Sequence, residues 1–245
     1  MSKTLNAISL FSGAGGMDVG VLQAGFDIKA CVEIDKNCCD TLRENIKRER
    51  RDTIVYESDI RELNPDTILE DIELQAGCVD LLFGGPPCQA FSQIGKQKSL
   101  EDERGLLLYQ MIRYAKAIQP RAIMMEQVKG LLTAKDLSGK SGGVFELFIA
   151  QLEEMDYVPK WKVMLAAQYG VPQLRERVFI VATKKLNGFK FPDPTHDKPE
   201  RCDSLFALLP YATVGEAIKG LSNPICKGET NEIPDDRHYD VTQAR

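Results

Sequence analysis

Val79-Asp80-Leu81-Leu82-Phe83 runs directly into Gly84-Gly85-Pro86-Pro87-Cys88-Gln89-Ala90-Phe91-Ser92. The first five residues are short, mostly apolar and closed by turn residues, the pattern of a buried parallel strand. The two glycines allow a tight turn and the close approach of a ligand. The two prolines stiffen the backbone and remove N–H donors. In an open α/β sheet, ligands bind beyond the carboxyl ends of the strands, and Cys88 falls at such an end. A thiol on a stiff turn is a candidate nucleophile. A buried free cysteine acting as a small hydrophobe is the alternative that the local pattern leaves open.

Outward from this stretch, strand and helix signals alternate. Leu5 to Phe11 reads as a strand, Ser12-Gly13-Ala14-Gly15-Gly16 as a turn and Met17 to Ala24 as a helix. Ile28 to Val32 is a second strand ending in Glu33-Ile34-Asp35, and Cys38 to Arg51 a helix with a charged outer face. Ile54-Val55-Tyr56 is a third strand, ending at Ser58-Asp59-Ile60, with a helix expected over Ile68 to Leu74. After Cys88, Gln89 to Arg104 is a long polar loop, of the length associated with lids or disorder. Leu106 to Ile118 is an amphipathic helix, Ala122 to Met125 a strand ending at Glu126-Gln127-Val128, and Lys135 to Gly143 a flexible loop. Val144 to Met155 is a helix. Trp161 to Ala166 and Arg177 to Thr183 are strands flanking Gln173-Leu174-Arg175-Glu176. The alternation predicts an α/β fold, a doubly wound and mostly parallel sheet, over residues 1–186. From 187 to 245 prolines recur and strand signals fade, leaving one short helix over Val214 to Leu221 and a polar end.

The 245 residues carry a net charge of −5, with 43% hydrophobic and 27% charged residues. That is an ordinary balance for a soluble globular chain. It argues against a DNA-coating protein but leaves room for a local basic face. No apolar run is long enough to cross a bilayer, and no signal-peptide core follows Met1. Seven cysteines, none in a C-x-x-C pair, and only two histidines (His196, His238) make a zinc site improbable and point to a reduced cytoplasmic compartment.

The glycine turn after the first strand suits a nucleotide-type ligand over a helix N-terminus, though its spacing is not G-x-G-x-x-G. Glu33 is placed to accept from ribose hydroxyls. Asp59 is placed to accept from an adenine amino group. Either acid alone reads more readily as a solvated strand-end carboxylate, but three successive strand ends with suitable groups favour a ligand. No Gly-Lys-Ser/Thr P-loop is present, so a nucleoside ligand without phosphates, such as S-adenosylmethionine, fits better than ATP. Glu126 lies on the same sheet edge as Cys88. Arg175 and Arg177, two residues apart, share a face if that segment is extended.

Phe11-Ser12-Gly13-Ala14-Gly15-Gly16, Gly84 to Ser92, Glu126-Gln127-Val128 and Gln173-Leu174-Arg175-Glu176-Arg177 closely resemble the ordered motifs of DNA (cytosine-5) methyltransferases. The resemblance extends from the N-terminus to about Leu221. It implies a Rossmann-like S-adenosylmethionine-dependent fold and methylation of carbon 5 of a flipped-out cytosine in double-stranded DNA. Cys88 would add to carbon 6, Glu126 would donate to or protonate N3, and Arg175 would hold the oxygen at carbon 2. Arg177 would have a supporting role. Phe11, Gly13, Gly16, Glu33, Ile34, Asp59, Ile60, Pro87 and Leu106 would surround S-adenosylmethionine and its product S-adenosylhomocysteine. Phe11 would stack on adenine unless it is simply a core residue at a strand end. Gln89, Ser92 and the loop to Arg104 would close on DNA.

Two features depart from the family pattern. The residue after the acid is Gln127, where the family usually has asparagine. The target-recognition region and the final motif that returns to the cofactor pocket are both missing. The chain therefore resembles the catalytic, first subunit of a split bacterial restriction–modification enzyme, with a second polypeptide supplying the remainder, or else a fragment of a longer chain. A non-catalytic cofactor-binding subunit and an RNA (tRNA) cytosine methyltransferase are the alternatives.

Overall fold

The computed structural model describes residues 4–87, 107–136, 138–184, 188–201 and 208–220. Seven strands form one sheet: β1 (Leu5–Leu10), β2 (Phe26–Glu33), β3 (Ile54–Glu57), β4 (Leu81–Gly84), β5 (Ala122–Gln127), β6 (Val158–Leu165) and β7 (Glu176–Thr183). Their order is β3-β2-β1-β4-β5-β7-β6. The first five in that order pair in parallel, and β7 is antiparallel to both β5 and β6. The expected doubly wound, mostly parallel sheet is therefore present. Strand order reverses between β1 and β4, and a ligand cleft is expected at such a switch point.

The helices are α1 (Gly16–Gln23), α2 (Lys36–Arg48), α3 (Pro65–Asp71), α4 (Leu107–Ile118) and α5 (Gly143–Glu153), with a short α6 (Val214–Ile218). Two apolar layers hold them to the sheet. On one face Ile8, Leu10, Leu82, Ile123, Met125, Val178 and Ile180 pack with side chains of α3, α4 and α5. On the other, Ala7, Ile28, Cys31, Leu81 and Phe83 pack with Val21 of α1 and Leu42 and Ile46 of α2. Strands buried on both faces read as continuous apolar runs, which is the pattern of β1 and β4.

Local chemistry moves several boundaries from their expected places. α3 starts at Pro65 rather than Ile68, because the Asn64 side chain accepts from Asp66 N and proline suits the first helical position. α2 starts at Lys36, capped by Asp35, which accepts from Cys38 N at 2.9 Å. The expected flexible loop from Lys135 to Gly143 is a turn organised by Asp136, whose Oδ1 accepts from the backbone N–H groups of Ser138 and Lys140. Beyond 187 the short strands β8 (His196–Asp197) and β9 (Leu209–Pro210) pair in parallel. α6 carries a Thr213/Glu216 capping box. The Gln89–Arg104 loop and the polar end lie outside the described residues.

β1 and β4 approach so closely that a Cβ on Gly84 would lie 2.4 Å from the carbonyl oxygen of Leu10. The obstacle is backbone, so it cannot rotate away. Gly84→Ala is expected to destabilise the fold by about 1–3 kcal/mol, the usual cost of overpacking. A urea midpoint equal to that of wild type would contradict this.

Candidate active site

The cleft at the switch point is built from the carboxyl ends of β1, β2 and β3. Phe11 leaves β1 with φ at 55°. That left-handed conformation is a genuine outlier for a bulky residue and is the kind of strain found at ligand sites. Ser12 N donates to Val32 O at 3.2 Å, and the Ser12 hydroxyl donates to Ser9 Oγ at 2.8 Å, so the turn is tied to β1 and β2. Gly15, at φ 89°, caps α1 and lies against Leu42, where a Cβ would meet Cδ2 at 3.0 Å. Beneath the turn, the carboxyl of buried Asp18 accepts from the Cys31 thiol. Burial pushes the Asp18 carboxyl above its ordinary range.

Glu33 terminates β2. Its Oε2 accepts from Gly13 N at 2.7 Å, and its Oε1 accepts from Ile34 N at 2.8 Å and Asp35 N at 2.9 Å. A carboxylate offers about four lone-pair positions, so these amides leave room for roughly one further donor. Asp59 follows β3, and its carboxylate is gripped by Arg61: Nε lies 3.0 Å from each oxygen and Nη2 2.6 Å from Oδ2. This pairing holds the Asp59 carboxyl below its usual range.

Together these elements form an open cleft, lined by Phe11, Val32, Glu33, Ile34, Ser58, Asp59, Ile60, Arg61, Pro87 and Leu107. Six of the nine residues proposed from sequence to hold a cofactor line it: Phe11, Glu33, Ile34, Asp59, Ile60 and Pro87. Gly13 and Gly16 do not; the Gly13 N–H is used to fix Glu33. Leu106 lies outside the described residues, and its neighbour Leu107 is in the wall. Val32, Ser58 and Arg61 were not anticipated. For Arg61 the signal was available, since an arginine two residues after a turn aspartate can fold back onto it.

On the adjoining strands, Glu126 stands near the end of β5. The Glu126 Oε2 would be 3.7 Å from a Cβ built on Gly85, so the carboxylate overlies the Gly-Gly-Pro-Pro turn. Arg175 and Arg177 both reach Glu126, as their spacing implies, but unequally. Arg177 Nε lies 2.9 Å from Oε1, an ion pair not aligned as a hydrogen bond, whereas Arg175 Nη2 is 3.8 Å away. Arg177 is thus the closer partner of the acid, and Arg175, 48% exposed, is the more available to a ligand. Cys88, Gln89 and Ser92 lie outside the described residues. Among the described residues no cluster of histidine, cysteine and carboxylate side chains is arranged to hold a metal, and no helix is long and apolar enough to cross a membrane.

The glutamine that departs from the expected asparagine keeps a structural task. Gln127 Nε2 donates to Pro86 O at 2.6 Å, and its Oε1 accepts from Val128 N at 3.0 Å, with the side chain fully buried.

A doubly wound sheet with a cleft at its switch point, and an acid–guanidinium pair beside a Pro-Pro turn, is the arrangement expected of a Rossmann-like methyltransferase. A family model of C-5 cytosine-specific DNA methylases matches residues 5–243, and the chain belongs to that family. By family it is a DNA cytosine-5 methyltransferase polypeptide. The type II methyltransferase M.AquIA of Picosynechococcus sp. is 40% identical over 233 residues, covering 90% of both chains. M.NgoFVII of Neisseria gonorrhoeae is 36% identical over 231 residues, covering 93% of this chain but 56% of its own. The chain spans about half to three-fifths of the length of several such relatives. The crystal structure of a prophage-encoded DNA modification methyltransferase (E. coli) superposes with a TM-score of 0.68 at 28% identity, covering 90% of this chain and 56% of that one.

Replacing Gln127 by leucine removes the donor to a buried carbonyl, and an unsatisfied buried polar group costs about 1–3 kcal/mol. Gln127→Leu is expected to lose stability in that range in urea unfolding. Retention of the wild-type midpoint would show that the Pro86 carbonyl does not need this partner.

Proposed function

We propose that the chain transfers a methyl group from S-adenosylmethionine to carbon 5 of a flipped-out cytosine in double-stranded DNA, through a covalent bond from Cys88 to carbon 6. The observation that carries this reading is the dual placement of one turn. Pro87 lines the cleft, Gly85 lies beneath the Glu126 carboxylate, and Cys88 is the next residue after Pro87. A base held by Glu126 and a methyl donor held in the cleft would therefore meet beside Cys88.

The described residues around the cleft fit an adenosine ligand without phosphates: two acids at strand ends and an aromatic ring, with the one cation, Arg61, turned onto Asp59. When bound, S-adenosylmethionine supplies an electrophilic methyl sulfonium. The Cys88 thiolate forms a bond to carbon 6 while the ring π electrons move toward carbon 5, which becomes nucleophilic. Glu126 donates its proton to N3 as that nitrogen gains electron density. Arg175 stabilises charge on the oxygen at carbon 2, while Arg177 orients Glu126. After methyl transfer the proton on carbon 5 leaves to a base, and the carbon–sulfur bond breaks to free Cys88. Duplex DNA containing 5-fluorocytosine arrests this sequence, because fluorine cannot leave as a proton. With S-adenosylmethionine and the polypeptide encoded by the neighbouring reading frame, wild type is expected to form a denaturation-resistant adduct and Cys88→Ala none. Glu126→Gln should slow adduct formation by about 10²–10⁴-fold. An adduct with Cys88→Ala would overturn the covalent assignment.

The second polypeptide belongs to the same reading, and a sheet face only partly covered by the described residues supports it. α1 and α2 cover the β1–β3 half of their face. Over β5, β7 and β6 the same face carries Ala122, Met124, Phe179, Val181 and Met164, all only half-buried. Among the described residues Phe179 and Val181 join neither core layer and no helix packs over them, although Lys162 and Lys160, opposite them on β6, donate to the carbonyls of Pro192 and Phe189 in the segment that follows the sheet. On α1, Val19 is exposed together with Gly16 and Gly20. Glu126 and Arg177 lie on this same face, so a chain covering it would border the site and complete the cofactor pocket. Such a chain would also carry target recognition, in the bacterial cytoplasm. The polypeptide encoded by a neighbouring reading frame is the test. Co-expressed with wild type it should copurify in a one-to-one complex, and with Phe179→Asp/Val181→Asp it should not. Full methylation by the isolated chain would overturn the two-chain reading.

A further inference from the structure

The segment from Asp59 to Leu63 is the most firmly anchored wall of the cleft. Asp59 O accepts from Glu62 N and Leu63 N. From behind, the Arg113 guanidinium and the Tyr114 hydroxyl of α4 both donate to the carbonyls of Ile60 and Leu63. The backbone is thereby fixed, and the Arg61 side chain is left to turn onto Asp59 at the cleft surface. Among the ten residues lining the cleft the acids are Glu33 and Asp59, and Arg61 is the one cation. The described lining thus carries one net negative charge, and Arg61 decides whether it is one or two.

We propose that Arg61 is a specificity-determining residue: by neutralising Asp59 it sets the ratio in which the cleft holds a cationic sulfonium ligand and its neutral thioether product. The inference rests on the cofactor reading above. S-adenosylmethionine and S-adenosylhomocysteine share the adenosine and amino-acid parts and differ by one methyl group and one positive charge. A steric or folding change in the wall moves both affinities together. A change in the charge of the wall moves them apart, because attraction between charges acts over several ångströms even at the intermediate dielectric of a protein surface. With Arg61 in place, the thioether is retained more nearly as well as the sulfonium than two bare carboxylates would allow. Arg61 would therefore help to set the strength of product inhibition.

Calorimetric titration of the full chain, in complex with the second polypeptide proposed above, with each ligand separately tests this without turnover. Arg61→Gln is expected to raise the ratio of S-adenosylmethionine to S-adenosylhomocysteine affinity by roughly three- to tenfold, a range set by Coulomb attraction at partly exposed sites. Asp59→Asn keeps an oxygen acceptor but removes a negative charge, and should lower the ratio by a similar factor. Arg61→Lys retains the cation, loses the fork and should leave the ratio within about twofold of wild type, since charge and not geometry is at stake. If Arg61→Gln binds neither ligand, the other two variants decide. Ratios that do not move apart in Asp59→Asn and Arg61→Gln would overturn the role of Arg61 and leave the cofactor reading standing. Failure of wild type to bind either ligand would overturn the cofactor reading itself.

Discussion

The close approach of β1 to β4 is the constraint on which the site depends. Where the two strands meet, Gly84 passes within contact of the Leu10 carbonyl and no side chain fits between them. That contact brings the turn after β1 and the Gly-Gly-Pro-Pro turn after β4 to one point on the sheet edge. Each turn is then held from a different direction. Ser12 ties the first to β1 and β2, and Gln127 reaches from β5 to hold Pro86. Pro86 and Pro87 have no N–H of their own to hold the turn in place. Its position rests on a hydrogen bond from outside, and one extra methylene in Gln127 does not prevent that bond.

Much of this was legible in the sequence because it depends on near neighbours. Periodicity and turn residues located every strand of the large sheet and its principal helices, and they put Glu33 and Asp59 at the carboxyl ends of β2 and β3. The strand order was not legible. Nothing local to Glu176–Thr183 states that it slides antiparallel between β5 and β6, because the partners it satisfies are distant in the chain. The start of α3 was misplaced because the apolar run from Ile68 outweighed the capping pair Asn64-Pro65.

In the site, residue types were easier to read than their allegiances. Gly13 looked like a contact for a ligand, yet its N–H fixes Glu33. Arg175 and Arg177 were correctly placed on one face, but which of them approaches Glu126 depends on the course of the chain through Gln173. There the backbone turns tightly, with Arg175 N donating to Gln173 O. Arg177, already within β7, is pinned beside β5, and Arg175, just before the strand, is left at the surface. The strain at Phe11 has the same character. A left-handed φ at a phenylalanine cannot be foreseen from a strand pattern, because only the junction of β1 with the glycine turn imposes it.

Charge bears on the two-chain reading proposed above. Affinity for duplex DNA comes largely from lysine and arginine displacing counterions from phosphates. Here the net charge is −5, and many of the described cations already face acids: Lys36 with Asp40, Arg43 with Glu57, Arg48 with Glu44, Lys129 with Glu176. Exposed pairs of this kind are individually weak, but each offsets a positive charge that could otherwise face a phosphate. The cleft is acidic as well, which suits a cationic methyl donor and repels a phosphate backbone. A chain so arranged can hold the donor and the reacting groups while contributing little to duplex affinity. On the reading proposed above, the attraction that brings DNA to Glu126 and Arg175 would come from a second chain seated beside those residues, over Phe179 and Val181 of β7.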